Sequence, residues 1–420
     1  MIDLGPQDHT YLHLETPARP MHWAMLLRLD PAAGPLDLDA VRRRVAERAH
    51  RYEIFRTGIT GGRWRRPRVQ TVDAIDPDVQ VVEHTYDDDA GLHTAIGALM
   101  GEHLERGRPF WQLTVFTPRH PGDAQHLLLR VHHSLSDGIA GAAFSALLAD
   151  GDDAELAEFD RFATSPRFHV SGIDATDLAT AKAAFGASWE EGAAGRDWPR
   201  LGDAGHRQTT WLSVPTRDLR RAARARDASV HEYLLAATGA ALSAAPPTGT
   251  AAQNLRVTLP VTLDKEFRHT GNAVAVSLLN LAGNRSAIDE QLPAIRTQLE
   301  RIERDRPELY LAAADDAPRA PWPIFRVLSN ASMRRMSPDV HIGINPGFTR
   351  VRTVLGTSID DLIALSPLVG YSFSVTVLVL GTRTSFGVVV DGDRLDGYGA
   401  RFADAFTRRL ADADVSTEPV

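Results

Sequence analysis

The segment Leu127-Leu128-Leu129-Arg130-Val131-His132-His133-Ser134-Leu135-Ser136-Asp137-Gly138-Ile139-Ala140-Gly141 passes from an apolar strand pattern to a small-residue helix pattern. Successive strand side chains point to opposite faces, so Leu127, Leu129, Val131 and His133 share one face. His126, Leu128, Arg130 and His132 take the other. His133 thus emerges at the end of an apolar face while His132 points away. Such a pair is a poor joint ligand set, and no metal site is expected here. Asp137 stands where a helix over Ile139 to Leu148 should begin, so its simplest reading is an N-cap, with Gly138 easing the turn. That reading explains Asp137 and leaves His133 unexplained. The spacing H-H-x-x-x-D-G says more: a carboxylate can fix the loop, glycine permits close approach, and the imidazole can serve as a base near neutral pH.

Outward from this segment, strands and helices alternate. Strands are predicted over Trp23–Leu29, Trp64–Thr71, Val79–Thr85, Gln112–Phe116 and His126–Val131. Helices are predicted over Leu38–Tyr52, with Asp37 as cap, and over Leu92–Leu104. The pattern weakens between Asp150 and Arg207, where an acidic stretch (Asp150, Asp152, Asp153, Glu155, Glu158) precedes a helix over Thr176–Trp189 capped by Thr176. The second half repeats the mixture. Strands fall at Thr209–Val214, Leu255–Val261, Ala273–Leu281, around Ile342, and at Arg350–Leu355, Ser372–Leu380 and Thr384–Val390. Helices fall at Asp218–Arg226, Val230–Ala244, Asp289–Arg304 and Tyr398–Ala413, before a loose tail over Val415–Val420. This is an α/β (α+β) chain with a mixed sheet in each half. The expected division is a first lobe over 1–150, a crossover linker over 151–207 and a second lobe over 208–420.

Composition narrows the chemistry. The 420 residues contain no cysteine, which removes disulfide scaffolds, cysteine nucleophiles and thiolate metal sites. A formal net charge of −8 argues against nucleic acid as a partner. Lys182 and Lys265 are the only lysines among 46 basic residues, an arginine bias that reflects coding more than physics. The opening Met-Ile-Asp-Leu-Gly-Pro is not a secretory leader, and no run reaches the ~20 apolar residues of a membrane span. A cytoplasmic chain, at most peripheral to a membrane, is expected. There is no G-x-S-x-G elbow, no G-x-x-x-x-G-K-[ST] loop and no G-x-G-x-x-G turn.

His132-His133-Ser134-Leu135-Ser136-Asp137-Gly138 resembles the signature of the CoA-dependent acyltransferase superfamily, which includes chloramphenicol acetyltransferase and peptide-synthetase condensation domains. The flanks are similar to the bacterial wax ester synthase/diacylglycerol acyltransferases. Leu14-Glu15-Thr16-Pro17-Ala18-Arg19-Pro20-Met21-His22 resembles their opening, and Arg108-Pro109-Phe110-Trp111 their R-P-L-W element. Val257-Thr258-Leu259-Pro260-Val261 with Gly271-Asn272, then Ile344-Asn345-Pro346-Gly347, Ser366-Pro367 and Phe386-Gly387, follow in the family's order. Where that family shows Asn-Asp at the central helix, this chain has His231-Glu232.

The resemblance implies two chloramphenicol-acetyltransferase-like lobes with the active site at their interface. It implies acyl transfer from acyl-CoA, a co-substrate with no bound cofactor, to a hydroxyl. His133 would be the base, Asp137 a structural group in an ion pair with an arginine, and Gly138 the close-approach position. Asn272, Ser374 and Thr376 are candidates to bind substrate or the oxyanion. The expected acceptors are a long-chain alcohol or diacylglycerol. Rival readings are a specialised-metabolism enzyme of the same fold, acylating a small alcohol with a carrier-protein thioester as a possible donor, and a non-catalytic carrier-binding scaffold. The clusters Arg63, Arg65, Arg66, Arg68 around Trp64 and Arg220, Arg221, Arg224, Arg226 read as solvated faces before anion sites.

Overall fold

The computed structural model describes residues 4–61, 65–164, 168–170, 173–264, 271–316, 321–413 and 415. Its strands are β1 (His22–Leu29), β2 (Thr57–Thr60), β3 (Arg68–Thr71), β4 (Val81–Tyr86), β5 (Trp111–Pro118), β6 (His126–His132) and β7 (Arg207–Pro215) in the earlier chain. Later come β8 (Asn254–Thr262), β9 (Val274–Ala282), β10 (Val340–Ile344), β11 (Thr353–Val354), β12 (Thr357–Leu365), β13 (Phe373–Leu380) and β14 (Arg383–Asp391). They build two six-stranded sheets, ordered β11-β12-β1-β6-β5-β4 and β7-β14-β13-β10-β8-β9, with β2 and β3 paired apart. Helices pack on both sheets, giving the expected mixed α/β class with two sheet-containing lobes.

Alternation in β6 holds as expected. Leu127, Leu129 and Val131 enter the first lobe's core with Met25, Leu27 and Phe144, while Leu128 turns to the opposite face. There Leu128 joins Ala24 and Leu26 of β1, together with Trp211 and Val389 of the second sheet. β1 is therefore buried on both sides, and its unbroken apolar run reflects that.

Several sequence expectations need correction. The first sheet is completed by β11 and β12, which lie in the segment assigned to the second lobe, so the lobes exchange chain across the 208 boundary. The strand expected over Arg350–Leu355 shrinks to Thr353–Val354, and the longer strand is Thr357–Leu365. Asp360-Asp361 interrupts its apolar pattern. The cap of helix Ala175–Glu191 is Asp174, whose carboxylate accepts from Thr176 N at 2.6 Å. The structure adds helices Pro6–Leu14, Asp153–Thr164, Glu308–Asp316 and Trp322–Met336, where the sequence pattern predicts no element. Part of the first arginine cluster (Arg63 with Trp64), Lys265 and the tail beyond Val415 lie outside the described residues.

Asp361 explains why a charged residue sits inside β12. It is fully buried, and its two oxygens accept hydrogen bonds from the hydroxyls of Ser213 on β7 and Ser385 on β14. Arg383 Nε lies 3.7 Å away. One carboxylate of the first sheet thus pins two strands of the second. Beside it, a Cβ on Gly387 of β14 would come within 2.1 Å of Ala364 O, so only glycine permits this approach of the sheets. Asp361→Ala would strand two serine hydroxyls in the dry interface and is predicted to cost about 3 kcal/mol. Urea unfolding would measure it, with Asp361→Asn expected to lose less.

Candidate functional site

β6 delivers His132 and His133 to the boundary between the lobes, and the chain turns there into helix Gly138–Ala146. The two rings part as the strand alternation requires. His132 is buried and stacks on Phe110 at 4.2 Å between centroids. Its Nε2 donates to Glu15 at 3.2 Å, and its Nδ1 accepts from Ser134 N at 3.1 Å. Burial pushes the Glu15 carboxyl up, but His132, His103 and Arg106 outweigh it and hold Glu15 well below the ordinary carboxylate range. The opening Leu-Glu-Thr-Pro segment and the Arg-Pro-Phe-Trp element therefore hold the first histidine in place.

His133 lines a cavity of about 380 Å³ between the lobes. Its Nδ1 faces Asn272 Oδ1 at 2.9 Å. The Asn272 amide nitrogen donates to Asp8 Oδ1 at 2.7 Å and to His133 O at 2.6 Å, so the oxygen must face the ring and accept from Nδ1–H. Nε2 keeps its lone pair for the cavity. Tyr11 stacks on the ring at 3.7 Å and 8°, closing one face of the imidazole. Burial lowers the His133 pKa to about 4, so the ring is neutral at physiological pH.

Asp137 caps helix Gly138–Ala146 through Ile139 N and Ala140 N, both at 3.0 Å from Oδ1, and Oδ2 accepts from Ala273 N at 3.0 Å. Those three amides stand where an arginine was expected: among the described residues no cation pairs with this carboxylate. Burial raises its pKa to about 6. Asp137 N donates to Gly271 O at 2.8 Å, so Gly271-Asn272-Ala273 grips the motif at four points.

Gly138 lines the cavity and also makes room for a neighbour. Its φ is outside the left-handed range, and an added Cβ would lie 2.8 Å from Asn345 Oδ1. The missing side chain makes room for a residue of the opposite lobe. Asn272 is no oxyanion donor, since both of its amide hydrogens are engaged. Ser374 is buried off the cavity wall. Thr376 does line the cavity, and its hydroxyl pairs with Ser366 Oγ at 2.7 Å.

Sequence reasoning missed three wall residues. Tyr11 lies in a helix hidden by its polar, histidine-rich composition. His341 could have been found by alternation, because Val340 and Ile342 enter the core and leave His341 facing the cavity. Its Nδ1 lies 3.0 Å from Thr258 Oγ1, its ring stacks on Tyr371, and burial lowers its pKa to about 3. Asp315, at the end of helix Glu308–Asp316, carried no motif. The altered His231-Glu232 pair is structural: Glu232 closes a capping box with Ser229 and pairs with Arg296 at 3.1 Å.

Residues 4–187 match the family model for the wax ester synthase/diacylglycerol acyltransferase catalytic domain. A Mycobacterium tuberculosis protein named "Probable diacyglycerol O-acyltransferase tgs1" is 25% identical over 358 residues, 76% of this chain and 76% of that one. A Mycobacterium bovis protein named "Putative diacyglycerol O-acyltransferase Mb0919" is 24% identical over 442 residues, 92% of this chain and 86% of the other. Among solved structures, the wax ester synthase/diacylglycerol acyltransferase of Marinobacter aquaeolei superposes with a TM-score of 0.70 at 18% identity, covering 98% of both chains. The first condensation domain of the CDA synthetase gives 0.63 at 15% identity over 99% of both.

Asn272→Ala removes the group that fixes the His133 tautomer and is predicted to lower turnover about 10–100-fold. The ¹⁵N shifts of His133 should then change from an Nδ1–H pattern to a mixture of tautomers. An unchanged tautomer would reject the positioning role.

Proposed function

Taking the chain as an acyltransferase of the wax ester synthase/diacylglycerol acyltransferase type, we propose that it moves an acyl group from acyl-CoA to a hydroxyl acceptor with His133 as general base. One observation carries this reading: Nδ1–H of His133 is committed to Asn272, which leaves the Nε2 lone pair to take a proton. Nε2 removes the hydroxyl proton as the oxygen attacks the thioester carbonyl carbon. The tetrahedral intermediate collapses by breaking the C–S bond, and Nε2 returns the proton to the thiolate sulfur. The thioester is already activated, so no covalent enzyme intermediate is required.

Ser366 and Thr376 share one hydrogen bond, and one of their two hydroxyl hydrogens stays available for the oxyanion. Asp137 acts by holding the turn through its three amides and exchanges no proton.

Long-chain alcohols and diacylglycerol, giving wax ester or triacylglycerol, are the first acceptors to test. Helix Trp322–Met336 supports access from an apolar phase. Ile324, Val327 and Leu328 on it are 53%, 67% and 55% exposed, and Leu328 also lines the cavity. Among the described residues no helix is long and apolar enough to cross a membrane, so such access would be peripheral. A smaller, more polar alcohol is favoured by a different observation. Thr258, His341, Asn345, Ser366 and Thr376 give the cavity a polar wall, and its volume is near the low end of the ~300–1,000 Å³ of ligand pockets.

Release of CoA thiol with matched alcohols tests the reading, with an acyl carrier-protein thioester as a second donor. His133→Ala should cut turnover about 10²–10⁴-fold without unfolding the chain. No acceptor-dependent release from either donor would favour the non-catalytic scaffold. The pH profile gives an independent check. The base works only when neutral, and burial holds its pKa to about 4, so kcat/KM should lose activity on acidification near pH 4. A solvated imidazole would lose it near ~6.5.

A further inference from the structure

The cavity carries a charge pattern that transfer to a neutral alcohol does not use. Its described lining includes two carboxyl groups, Asp137 and Asp315, and no lysine or arginine. Asp137 is satisfied by three backbone amides. His133 and His341 stay neutral, because burial lowers their pKa values to about 4 and about 3. Among the described lining residues, therefore, no cation answers Asp315. Asp315 is half-buried on the wall, and carboxylates set in clefts without a cationic partner concentrate at functional positions.

The surroundings of Asp315 fit one chemistry. It projects from the last turn of helix Glu308–Asp316, which packs against helix Pro6–Leu14, the helix that carries Tyr11. Tyr11 covers His133 with its ring, and Tyr11, His133 and Asp315 line the same cavity. Phe325 adds a second aromatic surface to the wall. A carboxylate beside aromatic rings suits an ammonium group, through charge-assisted hydrogen bonds and cation–π attraction. Burial raises the Asp315 carboxyl to about 7, with the Thr10 hydroxyl acting the other way. An arriving cation would hold it ionised.

We infer that Asp315 recognises an ammonium group on the acceptor, so that the preferred acceptor is an amino alcohol whose hydroxyl reaches His133 while its nitrogen rests on Asp315. This rests on the O-acyl-transfer reading and narrows its acceptor class.

The experiment compares a series of ω-amino-1-alkanols of four to ten carbons with neutral 1-alkanols of matched length, by CoA-thiol release and by calorimetric binding. Wild type should favour the best amino alcohol over its neutral match by at least about tenfold in kcat/KM. In Asp315→Asn, and in Asp315→Ser as a second folded variant, that ratio should collapse toward one. A structural role for Asp315 would change both acceptors alike and leave the ratio intact, which would overturn the inference. Equal use of the two series by wild type would overturn it as well, as would preference for a neutral diol, which a protonated Asp315 could serve. If no acceptor releases thiol, the acyl-transfer reading fails, and binding decides this one separately. Tighter binding of the amino alcohol that Asp315→Asn abolishes would sustain ammonium recognition, and equal binding would reject it.

Discussion

The grip of Gly271-Asn272-Ala273 on the segment His133 to Asp137 is the constraint on which the site depends. It joins chain stretches more than 130 residues apart with four hydrogen bonds, none of them to a charged partner outside the motif. Asp8, reaching from the first helix, accepts from both the backbone and the side chain of Asn272 and completes the arrangement. The imidazole thereby has its tautomer set by one lobe and its position by the other. Separation of the lobes would undo both.

Electrostatics in the cavity follow from dryness more than from charge pairs. Burial is the leading cause of the lowered pKa at His133 and at His341, and of the raised pKa at Asp137. A neutral imidazole of low basicity is a modest base, and in the proposed reaction the proton it takes up must leave quickly. That suits a reaction whose departing thiolate takes the proton at once. In that proposal the demand for stabilisation falls on the oxyanion donors, for which Ser366 and Thr376 are the proposed pair.

Much of this was legible in the sequence. Alternation through Leu127–His133 correctly separated the two histidines, because β6 is regular to its end. The Asp137 cap could be read because side-chain capping is local. What failed was non-local. β12 could not be recognised because the hydroxyl donors to its buried Asp361 lie on two strands of the other sheet. The ion pair expected for Asp137 gave way to backbone amides, which leave no mark in a residue pattern. Asp315 and Tyr11 share a cavity wall only through helix packing, and no spacing rule connects positions 11 and 315.

The exchange of β12 between halves has a consequence for how the chain is made. β1 pairs β6 on one side and β12 on the other, so its second edge stays unpaired until residue 365 has left the ribosome. Until then a long apolar strand presents open hydrogen-bonding groups, the feature that invites pairing with another chain. The contacts that close it are among the most distant in sequence, which slows folding. The first half is therefore not a self-sufficient folding unit, although it carries the whole histidine motif. Nascent chains stalled before β12 should need chaperone cover, whereas the finished chain seals its own edge.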